Sequence, residues 1–363
     1  MRQYMAQGLK RDKCLAICGL SKNQFYYQPT GGKRGCSKSI YTLQLIDNEI
    51  IRQSNTYVKN YMKTLFKNPK VDYGYHRMTG ALQLAGFFIN HKKVYRLMKE
   101  ARLLHPKAKR SSKNYVRYRI LCPPQPLHLM EMDIKQVWVQ GERRYAYILT
   151  ILDIFTRTVL YWTVAYQMRQ EQVQIAWERI IQNYLQPLNL LAWEVNIEVR
   201  SDNGPQFCAK KLRAFLKENY LLQTFTHPYT PQENGHVESF HAILGKDLMG
   251  KYFEKLTDLE KELKEFYHFY NYQRIHGSLL KLPPFTFWHQ WNLGNIHRKV
   301  LDEKARKVKF QLNIERQRIT ICEPVGNASQ REVLSLIFEG SNPDKIKSVT
   351  QSDGAVLNAQ PAV

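Results

Sequence analysis

A chain of 363 residues with 44% hydrophobic content is globular in composition and long enough for two or three domains. Its charge is lopsided: residues 1–120 hold 25 Lys and Arg against 5 Asp and Glu, while the other 243 contribute only +3 of the total +23. So basic a front third expects a polyanion, and the want of a secretory signal or an apolar run of about 18 residues sets a membrane aside. The six cysteines (14, 18, 36, 122, 208 and 322) form no CxxC, which excludes a zinc knuckle or disulfide framework and suits reduced thiols in the cytosol.

In chain order, residues 7–28 read as helix, Gly-Leu-Ser turn and helix, with Leu9, Cys14, Leu15 and Cys18 as the apolar face and Ser21 as a cap. This gives an N-terminal helix-turn-helix over 1–30. Residues 31–72 read as a linker ("PTGGKRGCSKS", 29–39) followed by a helix of mixed polarity over 40–66. Residues 73–104 read as a second helix-turn-helix, with a helix over 76–85, a turn to Asn90, and a second helix capped by Asn90. In that second helix Val94, Leu97, Met98 and Ala101 share one face, and Lys92, Lys93, Arg96 and Lys99 fall away from it. With Arg77 they form a candidate DNA surface. The plain alternative is a helical hairpin with a solvated basic face. A basic linker over 105–126 adds Lys107, Lys109, Arg110 and Lys113.

After Pro123, Pro124 and Pro126 strands dominate, over 127–139, 144–156 and 158–166. A helix (170–185), a strand ending near Asp202, a helix (209–219), a strand (221–226) and helices over 231–250 and 255–273 follow. Three strands joined by short turns, then strand-helix-strand-helix, predict an α/β core with a mixed sheet over 127–292. Residues 293–340 read as a small β module and 341–363 as a disordered tail.

Three carboxylates stand out. Asp133 lies inside a strand among Met130, Met132, Ile134 and Val137, where an unpaired charge is costly. Asp202 ends a strand and runs into Asn203-Gly204-Pro205, so its plain role is to start a turn. Glu238 follows a capping box at Thr230-Pro231-Gln232-Glu233, or a helix start delayed by Asn234-Gly235, and lies beside the stripe Val237, Phe240, Leu244, Leu248. Three hard oxygen ligands without a His/Cys cluster select Mg²⁺ or Mn²⁺. Two such ions about 3.5–4 Å apart serve phosphoryl transfer.

"EMDIKQVW", "VRSDNGPQF" and "PYTPQENGHVESFH", with 35 residues between Asp202 and Glu238, resemble the signatures of the DDE transposase and retroviral integrase superfamily. "YNYQRIHGSLLKLPPFTFW" and "YGYHRMTGAL…KVYRLMKEARLL" resemble segments after and before the core in bacterial insertion-sequence transposases. The resemblance implies a ribonuclease-H-like catalytic core preceded by all-α DNA-binding units. It places Asp133, Asp202 and Glu238 at two Mg²⁺ (or Mn²⁺) ions that cut and join DNA. It further implies binding to terminal inverted repeats and target DNA, a homodimer or higher multimer on DNA, and a companion product of a small upstream reading frame. The expected location is the cytoplasm, with the nucleoid. Many relatives carry Lys or Arg two turns after the Glu; here that position is Gly245, with Lys246 about 80° round the helix as a weaker DNA candidate. His241, one turn after Glu238, is a candidate for substrate contact or for packing. Asp153 reads as a structural turn residue. The alternatives are a DNA-binding regulator with an inactive core and a ribonuclease-H-like nuclease.

Overall fold

The computed structural model describes residues 1–28, 38–106, 123–192, 195–226, 234–302 and 307–321. The chain falls into two units, residues 1–40 and the chain from Tyr41 onward.

The first unit contains α1 (Arg2–Ala6), α2 (Arg11–Ile17) and α3 (Lys22–Tyr26). The expected turn lies between α2 and α3, and Ser21 caps α3 through a reciprocal bond with Gln24. Its apolar face is narrower than the sequence suggests: Cys14 and Leu15 are buried, whereas Leu9 and Cys18 are exposed.

The second unit opens on β1 (Tyr41–Ile46) and β2 (Glu49–Ser54), where the sequence reads as helix. Asp47 and Asn48 both take positive φ (48° and 65°), the backbone of a two-residue hairpin turn, and this joins the strands in antiparallel register. The front region is therefore not all-α. After α4 (Asn55–Leu65) come α5 (Tyr75–Leu84), a two-residue strand β3 (Phe87–Phe88) that pairs with β1, and α6 (His91–Glu100). Gly86 makes that pairing possible, since a Cβ there would stand 2.3 Å from the Leu45 carbonyl oxygen. Val58, Met62, Met78, Leu82, Phe87, Val94, Leu97 and Met98 form the core of this helical unit.

The larger, five-stranded sheet follows. It comprises β4 (Leu129–Val139), β5 (Arg144–Asp153), β6 (Val159–Ala165), β7 (Ile197–Ser201) and β8 (Leu221–Phe225) in the order β6-β5-β4-β7-β8. The β4-β5-β6 meander is antiparallel, and β4-β7 and β7-β8 are parallel. This mixed sheet, with helices on both faces, is ribonuclease-H-like. Alternation along β4 divides the core. Met130 and Met132 face α7 (Gln170–Ile180), which ends in a π-helical turn over Ile181–Leu185, and α9 (Lys210–Glu218). Leu129 and Val139 face α10 (Gly235–Leu248) and α11 (Leu256–His268), which carries a π-helical turn over Phe269–Gln273. Buried Phe240 and Leu244 hold α10 on the sheet, each worth roughly 1.5–3 kcal/mol of burial.

Asp153 is fully buried at the end of β5 and accepts bonds from the Leu127 amide and from the amide and hydroxyl of Thr156, as a turn-closing residue should. Beyond α12 (Pro284–Asn292) the β module consists of β9 (Ile296–Asp302) and β10 (Lys307–Leu312), antiparallel and packed through Ile296 and Phe310 on Phe155 and Phe287. The linker basics Lys107, Lys109, Arg110 and Lys113, the capping box 230–233, Cys36, Cys122 and Cys322, the later strands of the β module and the tail lie outside the described residues.

Candidate active site

The two strand-borne carboxylates meet through sheet register. β4 and β7 are parallel neighbours paired Leu129↔Glu198, Met130↔Val199 and Glu131↔Arg200, and continuing that register brings Asp133 level with Asp202. Adjacent strands are about 4.8 Å apart, so this alignment sets the two side chains beside each other at the sheet edge where β7 stops. Asp202 is exposed just past Ser201, and its Oδ1 accepts the Gly204 amide at 3.0 Å, the Asx turn expected of Asp-Asn-Gly. A short helix, α8 (Pro205–Cys208), starts from that turn. Partial desolvation raises the Asp202 carboxyl, the Gly204 amide pulls it back, and the negative charge of Asp133 pushes it up again.

Glu238 comes from the first turn of α10, after the delayed start at Asn234-Gly235. Its carboxyl is also raised, by desolvation and then by Asp133, with His241 acting the other way. Asp133 thus couples electrostatically to both other carboxylates. Its own oxygens are engaged locally. Oδ1 accepts the Ile134 amide at 2.8 Å and Oδ2 lies 3.1 Å from His241 Nδ1. His241 Nε2 lies 3.4 Å from Thr150 Oγ1, and Thr150 lies 2.7 Å from the Tyr267 hydroxyl. Thr150 is also the cross-strand partner of Asp133. As they stand, no three His, Cys, Asp or Glu side chains among the described residues are gathered to hold a metal ion.

Glu131 was missed in the sequence. It is fully buried two residues before Asp133 on the same face, and its Oε2 accepts the Val237 amide at 2.9 Å. Desolvation pushes its carboxyl up to about 7, against the pull of the Val237 and His236 amides and the charges of Arg157 and Arg200. The signal was available: strand alternation puts Glu131 on the face of Asp133.

Other candidates are placed differently from expectation. His241 is buried, and its contacts are with Asp133 and Thr150 rather than with a surface open to DNA. Lys246 and Arg77 both pair with Asp72, Arg77 at 3.7 Å. Desolvation would raise that carboxyl, but the Lys246 hydrogen bond and the charges of Lys246, Arg77 and Arg274 lower it. On α6, Lys92 and Lys99 are exposed as expected, and Asn90 caps the helix by accepting the Lys93 amide at 2.9 Å. Lys93 and Arg96 are half-buried instead. The Lys93 ammonium donates to the Tyr41 carbonyl, and Arg96 lies 3.8 Å from Glu100. Both are tied to their own unit because their long stems lie along it.

No helix among the described residues is long and apolar enough to cross a membrane. Comparison with known families matches residues 123–231 and 221–284 to the integrase core domain and residues 53–111 to an HTH-like domain. A 39.2 kDa protein of insertion element IS476 from Xanthomonas euvesicatoria is 28% identical over 224 residues, covering 59% of this chain and 60% of its own length. The transposase for insertion sequence element IS904 from Lactococcus lactis subsp. lactis is 23% identical over 251 residues, covering 65% of this chain and 92% of its own. Among solved structures, the HTLV-2 integrase catalytic core domain in complex with magnesium aligns at TM-score 0.30 and 16% identity, over 42% of this chain and 92% of that one. Two integrase-core matches that meet across one mixed sheet, fronted by an HTH-like match, make this chain a member of the bacterial insertion-sequence DDE transposases, with a retroviral-integrase-like core.

Proposed function

We propose that this chain binds the ends of an insertion sequence and carries out divalent-metal-dependent cleavage and transfer of DNA strands, with Asp133, Asp202 and Glu238 as the catalytic carboxylates. One observation carries the assignment: Asp133 is level with Asp202 on adjacent parallel strands, and its charge also raises Glu238 on α10. Carboxylates that disfavour one another's ionised form fit a cation, and an all-oxygen donor set fits Mg²⁺ or Mn²⁺. The three would hold two such ions once Asp133 turns from His241. When bound, the ions supply charge neutralisation at the reacting phosphate and ionise its attacking oxygen.

The protein's own share is positioning. Register aligns Asp133 with Asp202, the Gly204 amide orients Asp202, and Glu131 fixes the start of α10 and with it Glu238. A groove of about 500 Å³ lined by Gln136, Tyr147, Tyr166, Arg169, Gln206 and Asp202 suits a nucleic-acid strand that reaches Asp202 from the opposite sheet face. The exposed Lys92 and Lys99 on α6 suit phosphates of the terminal repeat.

Each chain offers one such carboxylate set, and joining two ends takes two, so the active form is a dimer or larger assembly on DNA. The site of action on this reading is the cytoplasm, with the nucleoid.

The test is cleavage and joining of end DNA by the full chain with Mg²⁺ or Mn²⁺. Asp133→Ala, Asp202→Ala and Glu238→Ala should each abolish both steps and leave end binding near wild type. An alanine variant that retains full activity removes its residue from the site. A wild-type chain that binds ends without cutting favours the regulator reading.

A further inference from the structure

On one face of β4, charged side chains occupy every second position: Glu131, Asp133 and Lys135. Each meets α10 four residues further along than the one before. Glu131 accepts the Val237 amide at 2.9 Å, Asp133 lies 3.1 Å from His241, and Lys135 Nζ stands 3.4 Å from the point a Cβ on Gly245 would occupy. Element geometry explains the match. Two strand residues advance about 6.7 Å and four helical residues about 6 Å, so strand and helix stay in step for three rungs.

The first two rungs are closed by polar contacts, and the third is open. Gly245 offers only space, which the Lys135 side chain fills, and among the described residues Lys135 has no hydrogen bond or ion pair. The nearby cation of α10, Lys246, is already held by Asp72. Lys135 is therefore a half-buried ammonium one rung from Asp133, unpaired, at a site whose carboxylates repel a polyanion. An ammonium one rung from Asp133 and without a protein anion among the described residues is placed to take an outside anion.

We propose that Lys135 contacts a phosphate oxygen of the DNA strand beside the linkage being cut or joined, and that Gly245 keeps α10 bare so that the strand-borne ammonium can reach it. This rests on the transposase reading and adds a substrate-contacting residue to it.

The test uses the full chain and a duplex bearing the element end, taken from DNA flanking its gene. In a series of duplexes, one linkage at a time near the cleavage point is replaced by an uncharged methylphosphonate. Wild type, Lys135→Ala, Lys135→Gln, Lys135→Arg and the double variant Lys135→Ala/Gly245→Lys are compared by metal-free binding across a salt titration and by single-turnover cleavage with Mg²⁺. Lys135→Ala should lose about 0.9 of the log–log salt slope. It should also lose about 10-fold or more in rate at saturating DNA, the scale of one charge-assisted bond. Lys135→Arg should keep most of both. The double variant moves the ammonium from strand to helix across the gap and should recover rate. One methylphosphonate should slow wild type and leave Lys135→Ala indifferent. Should the alanine variant melt early, Lys135→Gln takes its place with the same expectations.

Unchanged slope and rate in a folded Lys135→Ala or Lys135→Gln chain overturns the proposal. So does a methylphosphonate profile identical to wild type. Wild-type cleavage that needs Asp202 but ignores Lys135 sinks this inference alone, whereas a wild-type chain that neither cuts nor joins sinks the transposase reading.

Discussion

α6 and α10 each begin after an asparagine and are held there by opposite means. Asn90 accepts the Lys93 amide with its own side chain, so the start of α6 is closed within four residues of sequence. Asn234 makes no such bond, and its buried side-chain oxygen has no partner among the described residues. The start of α10 is closed instead by Glu131, 106 positions away on β4. A helix that presents side chains to a ligand can be self-capped. A helix that must deliver one carboxylate to two others on a sheet is better fixed by the sheet itself.

The comparison breaks first on function. Glu238→Ala on α10 should lower cleavage by about a thousandfold or more, as loss of a metal-positioning group does, with end binding within about threefold. Lys92→Glu with Lys99→Glu on α6 should do the reverse, weakening binding, reducing its salt slope by about 0.9 per lost contact, and sparing the rate at saturating DNA. Gel-shift titrations beside single-turnover cleavage separate the two. If the α6 pair leaves affinity unchanged across salt, α6 is a structural hairpin.

Next in size is the tether itself. Glu131→Ala leaves the Val237 amide unsatisfied in the core and should cost about 1–3 kcal/mol of stability. It should also cost cleavage rate, since Glu238 is the next residue along the helix. Glu131→Gln keeps an acceptor oxygen and should recover most of both. Urea unfolding curves for the two variants settle it, and equal midpoints for wild type and Glu131→Ala would show that the contact holds nothing in place.

What could be read from the sequence follows the same division. Local devices were legible: the Asn90 cap, the Ser21 cap, the turn role of Asp153, and the strand-loop position of Asp202 with its Asx bond. The register that levels Asp133 with Asp202 was not, because it depends on which strands become neighbours. The hairpin over 41–54 was misread as helix, since its only local sign is Asp47-Asn48, a pair that tolerates positive φ without demanding it. The burial of Lys93 and His241 was invisible for the same reason: each partner comes from outside the helical pattern by which the residue was judged.

A smaller effect should be visible with pH at His276, just after the π-helical turn that follows α11. His276 lies among Arg157, Arg274 and Arg77 and close enough to His236 to feel its charge; desolvation first, then those charges, push it down to about 3. The unfolded chain protonates this side chain near 6.5, whereas the folded chain keeps it neutral. Its contribution to stability is therefore present above pH 6.5 and is lost as pH falls toward 3, with a slope of at most about 1.4 kcal/mol per pH unit. His276→Asn should lack that term, so its stability curve should approach that of wild type as pH drops from 7.5 to 5. Parallel curves would place the acid sensitivity elsewhere.

The finest test compares the two asparagines directly. Asn90→Ala removes a side-chain acceptor from an otherwise open helix start, and such caps are worth about 1 kcal/mol. Asn234→Ala removes a side chain that caps nothing, while Glu131 goes on accepting the Val237 amide, so the expected loss is no more than about 0.5 kcal/mol. The buried oxygen of Asn234 has no partner among the described residues, so its removal can even be neutral. Combining each change with Glu131→Ala sharpens the contrast. Asn90 and Glu131 share no partner and serve different helices, and their losses should add within about 0.5 kcal/mol. Asn234 and Glu131 both lie at the start of α10, Asn234 as the residue before it and Glu131 as the acceptor of the Val237 amide. If Asn234 is a reserve cap that engages once Glu131 is gone, the Asn234→Ala change should cost more in the Glu131→Ala background than in wild type. Additivity in both pairs would mean that α10 has no local cap even in reserve, and that the placement of Glu238 depends on the strand alone.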